Sequence, residues 1–364
     1  MLHSSLLDNT VQLAIDDRVL ILNSAADPFV PKAAQQVVAG ELLLAEDNIA
    51  LLQSAYSALE REHSMPGGRN SLSRYRHVPF HEYTLREAPA TIDVAVMNML
   101  YQPSNAWLIY GLQVTGYALK PGGRLYVVGA KDRGVLSMAK RMQTLFGNVE
   151  TLEISKGQRV LCSRKMDQGT RSHPSPWPPD TGQISLVPTI FAEGKLDEGT
   201  RLLIEALEVH TTDVALDIGC GAGFIGLHIA RLASKGQVTM LDASLAAVDM
   251  ARHRAEQGGL TNVQVLPSDG VQAVQAQRFD LVVTNPPFHL AGIQTTEVAE
   301  RFMREAAQVL RPRGRFYVVA NRFLKYEPTL RACFKTFEEV GGNTRFKVLR
   351  AMDPIRASTR PGDL

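Results

Sequence analysis

Residues 284–289 read TNPPFH, which sets an amide, two prolines and an aromatic ring side by side. Proline donates no backbone N–H and fixes its own φ, and each proline pushes the residue before it toward extended geometry. The main-chain carbonyl of Pro286, held between such neighbours, cannot swing. Together with the side-chain carbonyl of Asn285 it makes two acceptors at a fixed angle. That pair suits the two N–H groups of a planar exocyclic amine on a base. The lone pair of such an amine is conjugated into its ring and is a poor nucleophile. Hydrogen bonding both protons favours pyramidalisation and aims the nitrogen at an electrophile, a positioning effect that lowers barriers substantially. Pro287 stiffens the bend, and Phe288 offers a stacking face worth about 1–3 kcal/mol per base. His289 contacts the base or a phosphate, or is an exposed loop histidine. This chemistry requires neither a covalent nucleophile nor a metal, and Cys162, Cys220 and Cys333 are too scattered for a zinc site or a disulfide framework.

A second constellation lies upstream. DIGCGAGFIG, residues 217–226, satisfies G-x-G-x-x-G at Gly221, Gly223 and Gly226, and D-x-G-x-G-x-G through Gly219, Gly221 and Gly223. Glycines there permit positive φ and a close backbone approach to a ligand, or simply a tight turn. The acids narrow the choice. Asp217 would repel a pyrophosphate but suits a cationic α-amino group. Asp242, with Ala243 behind it, ends the next apolar run, where an acid accepts from ribose hydroxyls. Ser268-Asp269 ends a third run, where a side chain can accept from an adenine amino group. Singly, each acid also reads as a helix N-cap. At three successive strand ends, they describe an adenosine carrying an amino acid, S-adenosylmethionine rather than NAD.

The elements that position these residues alternate. DVALDIG, QVTMLDAS, NVQVLPSDG, FDLVVTNPP and RFYVVAN read as apolar strands, and FEEVGG with RFKVLRAM adds a late pair. Between them stand helical stretches: Leu202, Leu203, Ile204, Leu207 and Val209 on one, FIGLHIARLA, LAAVDMARHRAEQGG and EVAERFMREAAQVL. Such alternation predicts a mostly parallel sheet covered by helices on both faces. Ligands then bind at the carboxyl ends of the strands, where Asp217, Asp242 and Asn285 fall.

The chain also echoes itself. LKPGGRLYVVGAKDRG (119–134) matches LRPRGRFYVVANRFLK (310–325), and IDVAVMNMLYQPS (92–104) matches FDLVVTNPPFHLA (279–291). DRVLILN and ELLLAEDNIALL match TDVALDI and VTMLDASLAAVD in the same order, at a spacing of about 190 residues that fits two tandem domains. The expected division is 1–165, a linker at 166–185 rich in Pro, Ser and Gly, and 186–364. The first copy has Ser24-Ala25-Ala26-Asp27-Pro28 for the glycine loop and Asn98-Met99-Leu100-Tyr101 for the proline motif. It is therefore expected to bind no cofactor and to support the active half. Its basic stretch RNSLSRYRH (69–77) suits RNA contact or is a solvated loop.

The 364 residues carry a formal net charge of +2, with 45% hydrophobic and 21% charged residues, as in soluble globular proteins. No apolar stretch is long enough to span a bilayer, and neither a signal segment nor a cysteine pattern argues against a cytoplasmic location.

The loop from Asp217 to Gly223 with Asn285-Pro286-Pro287-Phe288 resembles the class I S-adenosylmethionine-dependent methyltransferases that act on exocyclic amines. With FAEGKLDEGTRLLIEAL (191–207), NPPFH and FYVVANRFLKYE (316–327), the chain is similar to the bacterial ribosomal RNA guanine-N2 methyltransferases of the RsmC/RlmG type. The resemblance implies two tandem Rossmann-like domains, each a mostly parallel seven-stranded sheet flanked by helices, with only the second active. It implies ribosomal RNA or a ribosomal subunit as partner, small-subunit RNA preferred with large-subunit RNA as the alternative that VANRF also resembles, and no metal or membrane; it sets no oligomeric state. It also places Phe191 and Asp197 in a segment closing over cofactor and target. The N-P-P-[FY] motif alone is shared with adenine-N6 and glutamine-N5 methyltransferases. A non-catalytic RNA-binding assembly module is a further reading, and a nicotinamide dehydrogenase leaves NPPFH unexplained.

Overall fold

In the computed structural model, residues 2–63, 74–166, 196–287, 289–290, 293–294 and 296–355 are described. The chain divides into two compact units, Met1–Thr189 and Ile190–Leu364. The expected linker lies outside the described residues except for Met166.

The first unit holds β1 (Arg18–Leu22), β2 (Glu41–Ala45), β3 (Tyr75–Val78), β4 (Ile92–Asn98), β5 (Leu119–Ala130), β6 (Glu150–Ser155) and β7 (Gln158–Arg164). The second holds β8 (Val214–Ile218), β9 (Gln237–Asp242), β10 (Val263–Pro267) and β11 (Phe279–Thr284). A two-residue pair follows, β12 (His289–Leu290) and β13 (Ile293–Gln294), then β14 (Leu310–Asn321), β15 (Phe334–Gly342) and β16 (Phe346–Pro354). The sheet orders are β3-β2-β1-β4-β5-β7-β6 and β10-β9-β8-β11-β14-β16-β15, one topology used twice. In each, five strands run parallel and the last two form an antiparallel hairpin against the fifth. The two tandem Rossmann-like domains expected from the sequence are present.

Buried parallel strands read as continuous apolar runs because helices cover both faces. In β11, Phe279 and Val282 enter one core and Leu281 and Val283 the other. The first of these cores is closed by Phe316 stacked on Phe334, ring centroids 5.5 Å apart. Arg315 and Asp213 are both buried, and Arg315 Nη2 donates to both Asp213 oxygens, at 2.7 and 2.6 Å. Breaking one partner would strand a buried charge.

One reading is corrected and one is narrowed. The first helix of the second unit spans Glu198–Ala206, so Leu207 and Val209 lie beyond it and pack against the core from the exit. Within RNSLSRYRH, Arg76 pairs with Glu41 and Glu87, Arg74 donates to the Val37 carbonyl and His77 meets the Glu46 carbonyl. These groups brace their own unit, and residues 69–73 lie outside the described residues.

Candidate active site

The carboxyl ends of β8, β9 and β11 bring Asp217, Asp242 and Asn285 to one edge of the second sheet. β8 runs into the glycine loop, where Gly219, Gly221 and Gly223 have φ of 71°, 52° and 85°. A Cβ on Gly223 would come within 2.8 Å of Met240, so both conformation and space require glycine there. The loop is tied down by Gly219 and Cys220, whose N–H groups both donate to the Leu241 carbonyl.

Asp217 is fully buried. Its Oδ2 accepts from the Gly226 N–H at 2.9 Å, while Oδ1 has no hydrogen-bond partner among the described residues. Burial pushes this carboxyl up to about 7, the Gly226 bond opposes that, and Asp242 adds repulsion. An orphaned carboxylate oxygen calls for a cation, and the α-ammonium of an amino acid supplies one. Asp242 accepts from the Gly221 N–H through Oδ2 and from the Ser244 N–H through Oδ1, each at 2.8 Å. A carboxylate oxygen can accept more than one hydrogen bond, which suits an acid at this place to ribose hydroxyls. The helix cap is Ser244, not Asp242, and Ala243 lies half-buried between them. Burial and both acids hold the Cys220 thiol well above its ordinary range, so it is no nucleophile.

Ser268 departs from expectation. Its hydroxyl donates to the Gly270 carbonyl and receives the Ala273 N–H, so it builds the turn. Asp269 is half-buried with Oδ1 held by Arg301 at 2.6 Å; Oδ2 makes no hydrogen bond among the described residues. Of the basic residues that follow β11, Arg301, Arg304, Arg311, Arg315 and Arg322 are each paired with an acid.

At the end of β11, the Thr284 hydroxyl donates to the Ile218 carbonyl at 2.8 Å, fixing the proline turn to the glycine loop. Asn285 is half-buried and Pro286 buried. Both line a cavity of about 220 Å³ with Asp197, Asn321, Leu324, Tyr326 and Phe346. Asp197, expected over the cofactor, caps the helix 198–206 and lies 3.4 Å from the Asn285 amide nitrogen, which also donates to the Thr200 hydroxyl at 2.9 Å. Thr200 was not legible as a site residue. Its only signal is its place three residues after a capping Asp. Phe288 and Phe191 lie outside the described residues, as does the side chain of His289.

The first unit carries the same scaffold without the ligand groups. Strand pairing sets Ile21 at the place of Asp217 and Asn98 at that of Asn285. The same pairing puts Asn23 opposite Gly219, so the equivalent loop is Asn23–Asp27, one residue earlier than the sequence comparison gave. Asn23 keeps a positive φ of 46°. Glu46 occupies the position of Asp242 and repeats its bonds, accepting from Ala25 and Asn48 N–H groups. The acid is thus retained, which the sequence comparison missed, but it is fully buried and pushed up to about 7, mainly by burial. The Gln102 amide donates into the loop, to the Leu22 and Asn23 carbonyls at 3.0 and 3.2 Å. Asn98 is bound by Asp27 at 2.6 Å. The Glu46, Asn98 and Gln102 side chains thus bond within their own unit. Calorimetry with S-adenosylmethionine is expected to give one site per chain, and two sites would contradict this geometry.

Residues 182–350 match the family described as the methyltransferase small domain. The ribosomal RNA small subunit methyltransferase C of Hahella chejuensis is 34% identical over 258 residues, covering 66% of this chain and 72% of that protein. The protein of the same name from Shewanella loihica is 30% identical, covering 72% and 78%. Among solved structures, the T. thermophilus 16S rRNA N2 G1207 methyltransferase, in complex with AdoMet and guanosine, superposes with a TM-score of 0.78. It is 28% identical, and the match covers 97% of this chain and 92% of that one. Two sheets of one topology, a glycine loop flanked by acids in only one of them, and these relatives lead to one assignment: the chain belongs to the ribosomal RNA small subunit methyltransferase C family.

Proposed function

We propose that the second unit transfers a methyl group from S-adenosylmethionine to the exocyclic N2 of a guanine in small-subunit ribosomal RNA, in the cytoplasm. The observation that carries this reading is the placement of Asn285 and Pro286 on the wall of a base-sized cavity, with the Asp217 loop at the neighbouring strand end. Bound S-adenosylmethionine supplies an electrophilic methyl group. Asp217 Oδ1 would take the α-ammonium, Asp242 the ribose hydroxyls, and Asp269 Oδ2 would be available to the adenine amino group. The Asn285 carbonyl and the Pro286 main-chain carbonyl would hold the two N2 protons and leave the nitrogen lone pair outside those hydrogen bonds. Leu324, Tyr326 and Phe346 give the cavity apolar walls, and Asn321 brings an amide that makes no side-chain hydrogen bond among the described residues. On either side of Leu324 in the sequence, Phe323 is 61% exposed and Lys325 is exposed, a stacking face and a cation of the kinds that meet RNA. The relatives' names favour this acceptor over adenine N6 or a protein glutamine.

The test is direct. Deproteinised 16S ribosomal RNA and intact small subunits are incubated with the chain and methyl-labelled S-adenosylmethionine, then digested to nucleosides. Label in N2-methylguanosine is the expected result. Label in N6-methyladenosine, or in protein, would replace this reading.

A further inference from the structure

We infer that Thr200, backed by Asp197, is a positioning residue that fixes which end of the Asn285 amide faces the substrate; the inference rests on the reading of Asn285 as the amine-binding group. An asparagine amide is nearly symmetric in shape, so its usefulness as an acceptor depends on what holds its NH2. The Thr200 hydroxyl donates to Asp197 Oδ2 at 2.5 Å. A carboxylate can only accept, so that hydroxyl's proton is committed and its oxygen can act toward Asn285 only as an acceptor. The Asn285 atom 2.9 Å from the Thr200 oxygen must then be a donor, the amide nitrogen. Both Asp197 oxygens, 3.4 Å away, make the same demand. Reversing the amide would set its oxygen against an occupied hydroxyl and a carboxylate. The carbonyl Oδ1 is thereby left as the end available to the cavity.

Asp197 is itself held, since its Oδ1 accepts from the Thr200 N–H at 3.0 Å as the helix N-cap. Thr200 is 6% exposed, so in the folded protein its hydroxyl, and not bulk water, is the partner at this place. The lock runs from the cap of the helix 198–206 to the end of β11, two elements 85 residues apart in sequence. The glycine loop takes no part in it, which separates its effects from cofactor binding.

The experiment compares Thr200→Val, Thr200→Ala and Thr200→Ser in the full-length chain. Valine and alanine keep the backbone N–H that Asp197 accepts, so folding is retained, as melting curves will verify. Loss of one buried charge-linked hydrogen bond predicts a fall in kcat of about 10- to 100-fold. S-adenosylmethionine affinity stays within about twofold, because Asp217 and Asp242 are untouched. Thr200→Ser restores the wild-type rate. In 15N-labelled protein, the Asn285 side-chain NH2 pair is identified by its absence in Asn285→Ala. It is expected to be protected from solvent exchange in the wild type and Thr200→Ser, and to exchange freely in Thr200→Val. Wild-type kcat with an equally protected amide in Thr200→Val would overturn the lock, as would a serine variant as slow as the valine one. If the wild type methylates no guanine, the functional reading fails, while amide protection still decides whether Thr200 holds Asn285.

Discussion

Asn285→Ala is expected to lower kcat on ribosomal RNA by about 10³-fold while S-adenosylmethionine binds almost as before. Removing one preorganised hydrogen-bonding group from a transition state costs about 10²–10³ in rate. Here the loss is at the upper end, because Asn285 supplies one of only two carbonyls proposed for the amine. The groups proposed for the cofactor lie on other strands: Asp217 is the penultimate residue of β8 and Asp242 ends β9. Single-turnover kinetics and calorimetry on the same preparation separate the two effects. A variant that retains more than about a tenth of the rate would show that the amine is held elsewhere.

Asp217→Asn is the second large effect, with opposite consequences for binding and for folding. Asparagine can still accept from the Gly226 N–H, but it places an NH2 where Oδ1 now stands without a partner. That NH2 faces the α-ammonium, so affinity is expected to fall by about 10- to 100-fold, the worth of a charge-assisted hydrogen bond. The pH dependence follows from the raised carboxyl. A folded-state value of about 7 lies above the ordinary 3.8. The stability associated with the neutral form is therefore fully present below the ordinary carboxylate range and is lost as pH rises through about 7. Cofactor affinity runs the other way, rising through the same window as Asp217 ionises. In Asp217→Asn both slopes shrink, and what remains of the stability slope includes the share of Glu46 in the first unit, shifted in the same direction. Thermal melts and calorimetry at about pH 5 and about pH 8 check both signs. A wild-type affinity that falls on raising the pH would remove Asp217 from its assigned role.

The sheets were legible because buried parallel strands cannot alternate polar and apolar residues, so VALDI, FDLVVT and RFYVVA stand out as runs. The acids and Asn285 were legible because they end those runs, where the topology converges. The helix after Asp197 was drawn too long: Leu207 and Val209 keep its apolar period by packing against the same core after the helix has stopped. The first-copy loop was misplaced by one residue because Asn23, not a glycine, takes the left-handed turn, which asparagine tolerates. Ser268 looked like a ligand group because a serine at a strand end resembles one, and only the fold shows both of its hydrogen-bonding roles already filled. Thr200 escaped notice because its significance is a contact with a residue 85 positions away, invisible to any local pattern.

The buried Glu46 has a wider consequence. In both units the acid after the second strand clasps the loop N–H groups, with or without a nucleoside to recognise. Its architectural duty is thus separable from any ligand duty. Asp217 has a weaker structural excuse: among the described residues its Oδ1 is idle, and Ile21 stands at the matching place in the first unit. The acid common to both units is the one that fastens a loop, and the acid found in only one of them fastens its loop through a single oxygen.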